Sequence, residues 1–403
     1  MGGGITPPLS LLRDILSGSG CEKAKASLVS QYASVTTLAV LPKFHPIVGV
    51  VSLIGNLGGI SDGPNIREHA VACLSNIGLI PSFRSHFALP IILGQVQTNA
   101  VKTLLAIARS HKTETPASRS LSLACLMNAS ISGGSNQTIK HHKDETDADR
   151  LNDPNGIKRA IARTGGLAVL LALGTTDNGK ISPPVIKQRA VGLLGRCVTN
   201  PVCLEQLSDE KGDCYGVNKI GEAFGKIVFG KVWGSGGGEE AVSKQFAEIV
   251  TNYVRCLAAF KSPPSGVDGY VLGLVNMLPE PQKDKREKGV INAGSVCMPP
   301  IKKEEGSPAK FAMDDGTVLA NSCKALITYL DKGSLDSVLN CGGMERLVCL
   351  LANSSSLKNE SCRKNAASAM ARLVKGEGGK AMKRCRELRG MEILVELGQN
   401  GKL

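Results

Sequence analysis

Apolar and polar residues recur along this chain with the period of a helix, and the clearest instance is the stretch 66–77 (IREHAVACLSNI). Such spacing predicts an amphipathic helix. Its tail, Ala72 to Asn76, returns as Ala124 to Asn128 and more loosely as Arg255 to Ala259. Short helices of one design bury their apolar stripes by stacking on one another, so the pattern predicts an α-solenoid.

A second element repeats beside the first. The stretches 165–173, 342–350 and 389–397 follow one template, in which Gly-Gly or Arg-Gly leads into an apolar helix. Each comes after a short helix-like stretch, and those before the first and third, at 156–163 and 381–388, are strongly basic. Glycine adopts a left-handed backbone at little cost, so the Gly pair is expected to end one helix and turn sharply into the next.

The succession of short helix, Gly turn, apolar helix, polar loop and longer helix of the form A-x-x-x-L-x-N resembles the armadillo repeat. The match is closest at Glu68 to Ile77, and the resemblance covers most of the chain outside roughly 261–317. It implies an all-α fold: a right-handed superhelix of about six three-helix repeats. HEAT-like repeats are the structural alternative.

The pattern divides the chain into six segments. We predict a flexible N-terminus, N-terminal repeats, a charged loop insertion, central repeats, a Pro- and Lys-rich disordered linker and C-terminal repeats, at 1–20, 21–131, 132–155, 156–278, 279–316 and 317–403 respectively. The two interruptions are too polar or too rich in proline and charge for a core to bury. The final repeat supplies two helices before Leu403, so its apolar face is expected to need a cover from elsewhere.

In armadillo proteins the third helix of each repeat lines a concave groove, and a marker residue and the residue four before it face that groove because positions i and i+4 share a helix face. Taking Asn76 as the marker aligns it with Asn128, Arg196, Ala259, Thr328 and Arg372. The positions four before are Ala72, Ala124, Gly192, Arg255, Lys324 and Ser368. From the third repeat on, each pair holds one basic residue. The candidate partner-binding residues are therefore Asn76, Asn128, Arg196, Arg255, Lys324 and Arg372.

A net charge of +13 favours anionic partners. A basic groove on a solenoid resembles the way beta-catenin-like proteins hold extended acidic chains, although ordinary solvated helix faces would show similar residues. Importin-alpha-like adaptors place Trp at the four-before position, and none stands there in this chain. The sequence therefore predicts a protein–protein interaction scaffold or adaptor with an acidic, extended partner.

Other functions receive weaker support from the sequence. No catalytic or nucleotide-binding motif is present, so we expect no enzyme and no cofactor. Cys197 and Cys203 lack further ligands for zinc, and thirteen scattered cysteines indicate a reducing compartment, cytoplasm or nucleus. No apolar run has transmembrane length. An RNA-binding α-solenoid, a UCS-type myosin or client chaperone, and N-myristoylation at Gly2 stay open as alternatives.

Overall fold

The computed structural model describes residues 63–79, 84–88, 91–93, 96–131, 156–209, 215–229, 239–264, 270–279, 316–330, 335–352, 359–375 and 379–399. Over these residues the fold is all-α apart from one small β-hairpin. The chain divides into two compact units, Met1–Cys203 and Leu204–Leu403. Each unit is a stack of short helices, and helix α7 (Pro201–Ser208) crosses the boundary between them.

Six helices lie within the described residues of the first unit, in addition to the start of α7. They are α1 (Gly63–Leu79), α2 (Ala100–Arg109), α3 (Pro116–Ala129), α4 (Gly156–Arg163), α5 (Gly166–Thr175) and α6 (Pro184–Cys197). Helices α1, α3 and α6 lie side by side, while α2 contacts α3, α4 and α5. Thr115 at the start of α3 donates to Glu68 near the start of α1 (2.9 Å), and Asn128 near the end of α3 reaches Ser75 near the end of α1. These two contacts show that α1 and α3 run parallel.

One arginine joins the ends of two helices in this unit. The Arg84 guanidinium donates to the carbonyls of Gly78, Leu79 and Ile131, each at 3.0 Å. These carbonyls lie at the C-termini of α1 and α3, where a cation offsets the negative end of the helix dipole. Between α1 and α2 the chain forms the hairpin β1 (Ile91–Leu93) and β2 (Val96–Thr98), antiparallel with Ile91 opposite Thr98.

The second unit repeats this construction. The helices described in it are α8 (Gly216–Phe229), α9 (Glu239–Ala259), α10 (Tyr270–Asn276), α11 (Gly316–Leu330), α12 (Leu335–Asn340), α13 (Gly343–Ala352), α14 (Glu360–Val374), α15 (Lys380–Glu387) and α16 (Gly390–Gln399). Helices α9, α11 and α14 stack side by side, and α13 packs against α14 and α16. The Tyr270 ring sits between Phe224 and Tyr329, with centroids 6.5 and 5.9 Å away.

The turns between paired short helices share one backbone geometry. Gly165, Gly342 and Arg389 have φ of 71°, 74° and 56°, in the left-handed region. In all three turns the amide of that residue donates to the carbonyl three residues earlier, at 2.9 to 3.2 Å. The predicted helix–turn–helix template is confirmed at all three places, and Arg389 keeps the left-handed conformation without being glycine.

The second residue of each turn is glycine because no room exists for a side chain. A Cβ on Gly166, Gly343 or Gly390 would lie 2.8, 2.4 or 2.8 Å from a side-chain atom of the residue five positions earlier, namely Ile161, Val338 and Cys385. The missing Cβ lets the two helices of each pair approach closely. The same spacing in three places shows that these pairs are copies of one structural element.

The helix predicted at 66–77 is confirmed within α1, which extends it at both ends. The predicted linker at 279–316 needs a small correction, because α11 already begins at Gly316. Several predictions lie outside the described residues: the flexible terminus at 1–20 with Gly2, the insertion at 132–155, and residues 280–315 of the linker.

Candidate binding surface on the rung helices

The six predicted groove residues all lie on the side-by-side helices of the two stacks, which we call the rung helices: α1, α3 and α6 in the first unit, and α9, α11 and α14 in the second. Asn76, Lys324 and Arg372 are exposed, whereas the other three are half-buried. The first unit holds Asn76, Asn128 and Arg196, and the second holds Arg255, Lys324 and Arg372.

Two of the residues in the first unit join neighbouring rung helices. The Asn128 amide donates to the main-chain oxygen of Ser75 (3.3 Å) and to its hydroxyl (3.2 Å). The Arg196 guanidinium donates to the Met127 carbonyl. Both side chains therefore have a structural role that the sequence-based prediction did not include.

A third bond of this kind occurs in the second unit, where the Asn365 amide donates to the Ala320 carbonyl at 2.9 Å. The three bonds join residues 53, 69 and 45 positions apart. Each separation is one residue longer than the interval between the aligned markers, that is, from Asn76 to Asn128, from Asn128 to Arg196 and from Thr328 to Arg372. The same relation in all three places supports the alignment of these rung helices.

The alignment reveals a row of asparagines that the sequence analysis missed. In the second unit the aligned markers are Ala259, Thr328 and Arg372. The residue seven positions before each marker is an asparagine, and all three are half-buried: Asn252 on α9, Asn321 on α11 and Asn365 on α14. The corresponding residues of the first unit are His69, Leu121 and Arg189, so the row belongs to the second unit. The sequence analysis compared only each marker and the residue four before it. It therefore missed the positions seven before each marker, which lie about two turns nearer the helix N-termini.

Basic side chains accompany the asparagines on the same helix face. Arg255 follows Asn252 by three positions and Lys324 follows Asn321 by three, so each pair shares a face. The Arg255 guanidinium donates to the Asn252 side-chain oxygen at 3.1 Å, which orients both groups. On α14 the equivalent position is Ser368, and exposed Arg372 lies one turn further on. We call Asn252, Arg255, Asn321, Lys324, Asn365 and Arg372 the amide–cation row.

This row combines two binding chemistries. A primary amide both donates and accepts a hydrogen bond, which matches the N–H and C=O of a peptide unit. Lysine and arginine pair with carboxylates, and arginine does so with two parallel bonds. The face also carries an acidic residue, exposed Glu248 one turn before Asn252, and the Asn252 amide donates to its main-chain carbonyl at 2.9 Å. The acidic partner residues are therefore expected over α11 and α14 more than over the start of α9.

Several basic residues serve the interior and do not contribute to the row. Arg119 donates to the carbonyls of Ala108 (2.9 Å) and Ile181 (2.6 Å), and Arg346 donates to that of Leu278 (2.6 Å). Burial lowers the pKa of Arg119. Lys187 is buried 3.6 Å from the Asp177 carboxylate. The net charge of the chain is thus partly structural, and it overstates the cations available to a partner.

The sequence analysis considered Cys197 and Cys203 as zinc ligands. In the structure both lie next to the buried Lys158. The Cys203 thiol donates to the Lys158 carbonyl at 3.3 Å, while the Lys158 ammonium donates to the Thr199 hydroxyl at 2.8 Å. A hydrogen bond with Cys197 lowers the pKa of Cys203, and burial lowers the pKa of Lys158. Among the described residues no group of three or more metal-binding side chains comes together.

The buried thiols of the second unit predict loss of stability in alkali. Burial raises the pKa of Cys256 to about 12 and that of Cys362 to about 11, and both lie above the value of 9.0 for a free thiol. The unfolded chain releases these protons first, so the folded state is fully stable below pH 9 and loses stability as the pH rises towards the folded pKa values. We expect a loss of a few kcal/mol between pH 9 and 11 in urea titrations. In the Cys256→Ala variant the free energy of unfolding should depend less on pH over this range. The same pH dependence in the variant and in the unchanged protein would contradict the role of the buried Cys256 thiol.

Comparisons with known proteins do not assign this chain to a family. No family model matches it, and no curated protein matches it. Two engineered proteins solved by the Northeast Structural Genomics Consortium are similar in part. The first is 14% identical, with 81% of this chain and 99% of the other covered and a TM-score of 0.45. The second is 16% identical over 98% and 94%, with a TM-score of 0.38. Both scores are too low to support an argument about fold or function.

No helix in the described part of the chain is long and apolar enough to cross a bilayer.

Proposed function

We propose that this protein is an α-solenoid of armadillo-like repeats that acts as a non-catalytic scaffold and binds an extended, acidic polypeptide along the rung helices of its second unit. The observation that carries the proposal is the amide–cation row. Three asparagines stand at equivalent positions on three stacked helices, and two of them are followed by a cation three residues later. Asn365 also bonds to the preceding rung helix and Asn252 to the Glu248 carbonyl, and a primary amide has a second N–H and a second oxygen lone pair for a ligand.

The repeat architecture supports the solenoid assignment. The left-handed turns at Gly165, Gly342 and Arg389 and the equivalent side-chain bonds between rung helices recur along both units. An array of stacked, similar units presents equivalent side chains at regular intervals. Such an array suits a ligand that is itself periodic.

An extended polypeptide fits the spacing of the row. Packed helices lie about 8–10 Å apart, and an extended chain advances about 3.3 Å per residue, so roughly every third residue of the ligand would meet a new rung helix. The asparagine amides bind main-chain groups of the ligand, which does not depend on its sequence. Lys324 and Arg372, both exposed, bind its carboxylates and supply the preference for acidic residues.

Charge reversal in the row tests this proposal. In the double variant Lys324→Glu/Arg372→Glu we expect affinity for fluorescent acidic peptides, alternating Glu or Asp with aliphatic residues, to fall by about tenfold or more, because each contact becomes repulsive. The salt dependence of binding should weaken as well. Melting should change little, since charges that solvent reaches contribute little to stability. Fluorescence anisotropy at two salt concentrations measures both binding effects.

The matched control is Lys219→Glu/Lys226→Glu, which changes the net charge by the same amount at two exposed positions of α8. Equal weakening in this control would mean that the chain attracts acidic peptides through its overall charge, and the row would have no special role.

Asn321→Ala should weaken the binding of acidic peptides and of neutral peptides of the same length to a similar extent, because the amide binds the main chain of the ligand. Sub-micromolar binding of one RNA at physiological salt, with a scrambled RNA failing, would replace the protein-scaffold proposal with the RNA-binding alternative.

A further inference from the structure

Helices α13 and α16 begin with nearly the same sequence, which differs at one of the first six positions. Gly343-Met344-Glu345-Arg346-Leu347-Val348 opens the first, and Gly390-Met391-Glu392-Ile393-Leu394-Val395 opens the second. Both follow a left-handed residue, and both start with a glycine that contacts the helix before it. The two helices therefore present equivalent side chains on equivalent faces.

The two copies differ in how much of that face is covered. Met344 and Val348 on α13 are 0% and 3% exposed, whereas Met391 and Val395 on α16 are 39% and 55% exposed. Single exposed apolar residues are common on protein surfaces, but here the internal copy shows that the same positions are built to be covered. The face of α16 is apolar along Met391 and Val395, with Glu392, Glu396 and Gln399 beside them.

The cover of α13 shows which chemistry fits this face. Helices α14, α15 and α16 all contact α13, and Gly390 of α16 comes so close that a Cβ would lie 3.1 Å from a Val348 methyl. The Arg384 guanidinium on α15 donates to the Glu345 carboxylate at 2.6 Å. Helix α15 (KAMKRCRE) is strongly basic and buries Ala381 and Cys385. A basic amphipathic helix therefore supplies the cation that pairs with the glutamate of this face, and its own buried apolar side chains show that it packs against apolar neighbours.

The equivalent glutamate on α16 is open to such a partner. Glu392 bonds to the Arg389 side chain at 2.5 Å, but both side chains are more than 60% exposed. An ion pair this exposed contributes little to stability, so Glu392 can exchange it for another cation at little cost. Glu396, exposed one turn later, extends the acidic edge.

We infer that the face of α16 formed by Met391, Glu392, Val395 and Glu396 is a docking surface for a basic amphipathic helix of a partner protein. The apolar side of that helix covers Met391 and Val395, and an arginine takes the position at Glu392 that Arg384 takes at Glu345. This surface is independent of the amide–cation row, so either one can fail without the other.

The chain itself supplies the probe. A peptide with the sequence Gly379–Arg389, held helical by a lactam between Lys383 and Glu387, presents the basic helix whose Arg384 pairs with Glu345 on α13. We expect it to bind the intact protein in the micromolar range by fluorescence anisotropy. Val395→Glu should weaken binding by about tenfold or more, because it places a charge in the apolar contact. The control Leu79→Glu changes a residue of similar exposure in the first unit and should leave binding unchanged.

A charge swap distinguishes specific docking from loose attraction. The protein variant Glu392→Arg should bind the peptide more weakly, and the peptide variant Arg384→Glu should restore its binding. Circular dichroism of Val395→Glu and Glu392→Arg should match that of the unchanged protein, because both positions are exposed. No binding, or binding that Val395→Glu leaves intact, would overturn the proposal. Self-association of the protein that Val395→Glu abolishes would overturn it too, since the occupant would then be a second copy.

Discussion

Replacing Gly343 with valine is expected to lower the free energy of unfolding of the second unit by about 3 kcal/mol. A Cβ at this position lies 2.4 Å from a Val338 methyl and 2.8 Å from the Val338 carbonyl oxygen, and the rest of the valine side chain adds to the clash. The main-chain oxygen cannot move without shifting α12 away from α13. Gly343→Ala should have a smaller effect of the same sign, about 1–3 kcal/mol.

Urea unfolding followed by circular dichroism, with hydrogen exchange to locate the loss in residues 335–352, measures this effect. Gly156→Ala is the matched control, because Gly156 also opens a helix but a Cβ added there would meet no atom within 4 Å. That substitution should be neutral or slightly stabilising. Similar unfolding curves for Gly156→Ala and Gly343→Ala would contradict the close approach of α12 and α13.

Replacing Leu126 with alanine should destabilise the first unit by about 2–5 kcal/mol. Leu126 is fully buried on α3, the helix that contacts α1, α2 and α6. Removing its side chain leaves a cavity that several helices border, and rigid neighbours close such a cavity incompletely.

Chemical denaturation of the first unit, read by hydrogen exchange in α3, checks this prediction. Leu79→Ala provides the comparison: Leu79 ends α1 and is 52% exposed, so its loss should cost less than about 0.5 kcal/mol. If the two leucine variants unfolded alike, Leu126 would not be part of the core, and the assignment of α3 as a central rung helix would fail.

The sequence predicted the local elements well because their signals are local. A Gly pair before an apolar run specifies a turn whatever surrounds it, and the turns at Gly165 and Gly342 formed as expected. The template was strong enough to identify the third turn although Arg389 replaces the first glycine. The helix at 66–77 was likewise recognisable from its apolar spacing alone, and only its ends differ from the prediction.

The contacts between helices could not be predicted in the same way. Whether a polar residue on a rung helix faces a ligand or the neighbouring helix depends on the crossing of the two helices, which no local pattern encodes. Asn128 and Arg196 were therefore assigned to the groove, although both bond to the preceding rung helix. The asparagine row could have been found from the interval between Asn321 and Asn365, which equals the interval between the last two markers.

The side-chain bonds between rung helices also bear on how the chain folds. They join residues 45 to 69 positions apart, and each reaches only the adjacent rung helix. Closing a loop costs about 0.6 kcal/mol more for each doubling of its length, so the longer intervals of the first unit add little to the entropic barrier. Contacts between neighbouring rung helices of one unit are thus less distant in sequence than contacts across the whole chain would be, which favours faster folding. Within each unit we expect folding to begin at one pair of adjacent rung helices and to spread to the neighbouring helices, so that the folding rate depends on the strongest local pair more than on the total length.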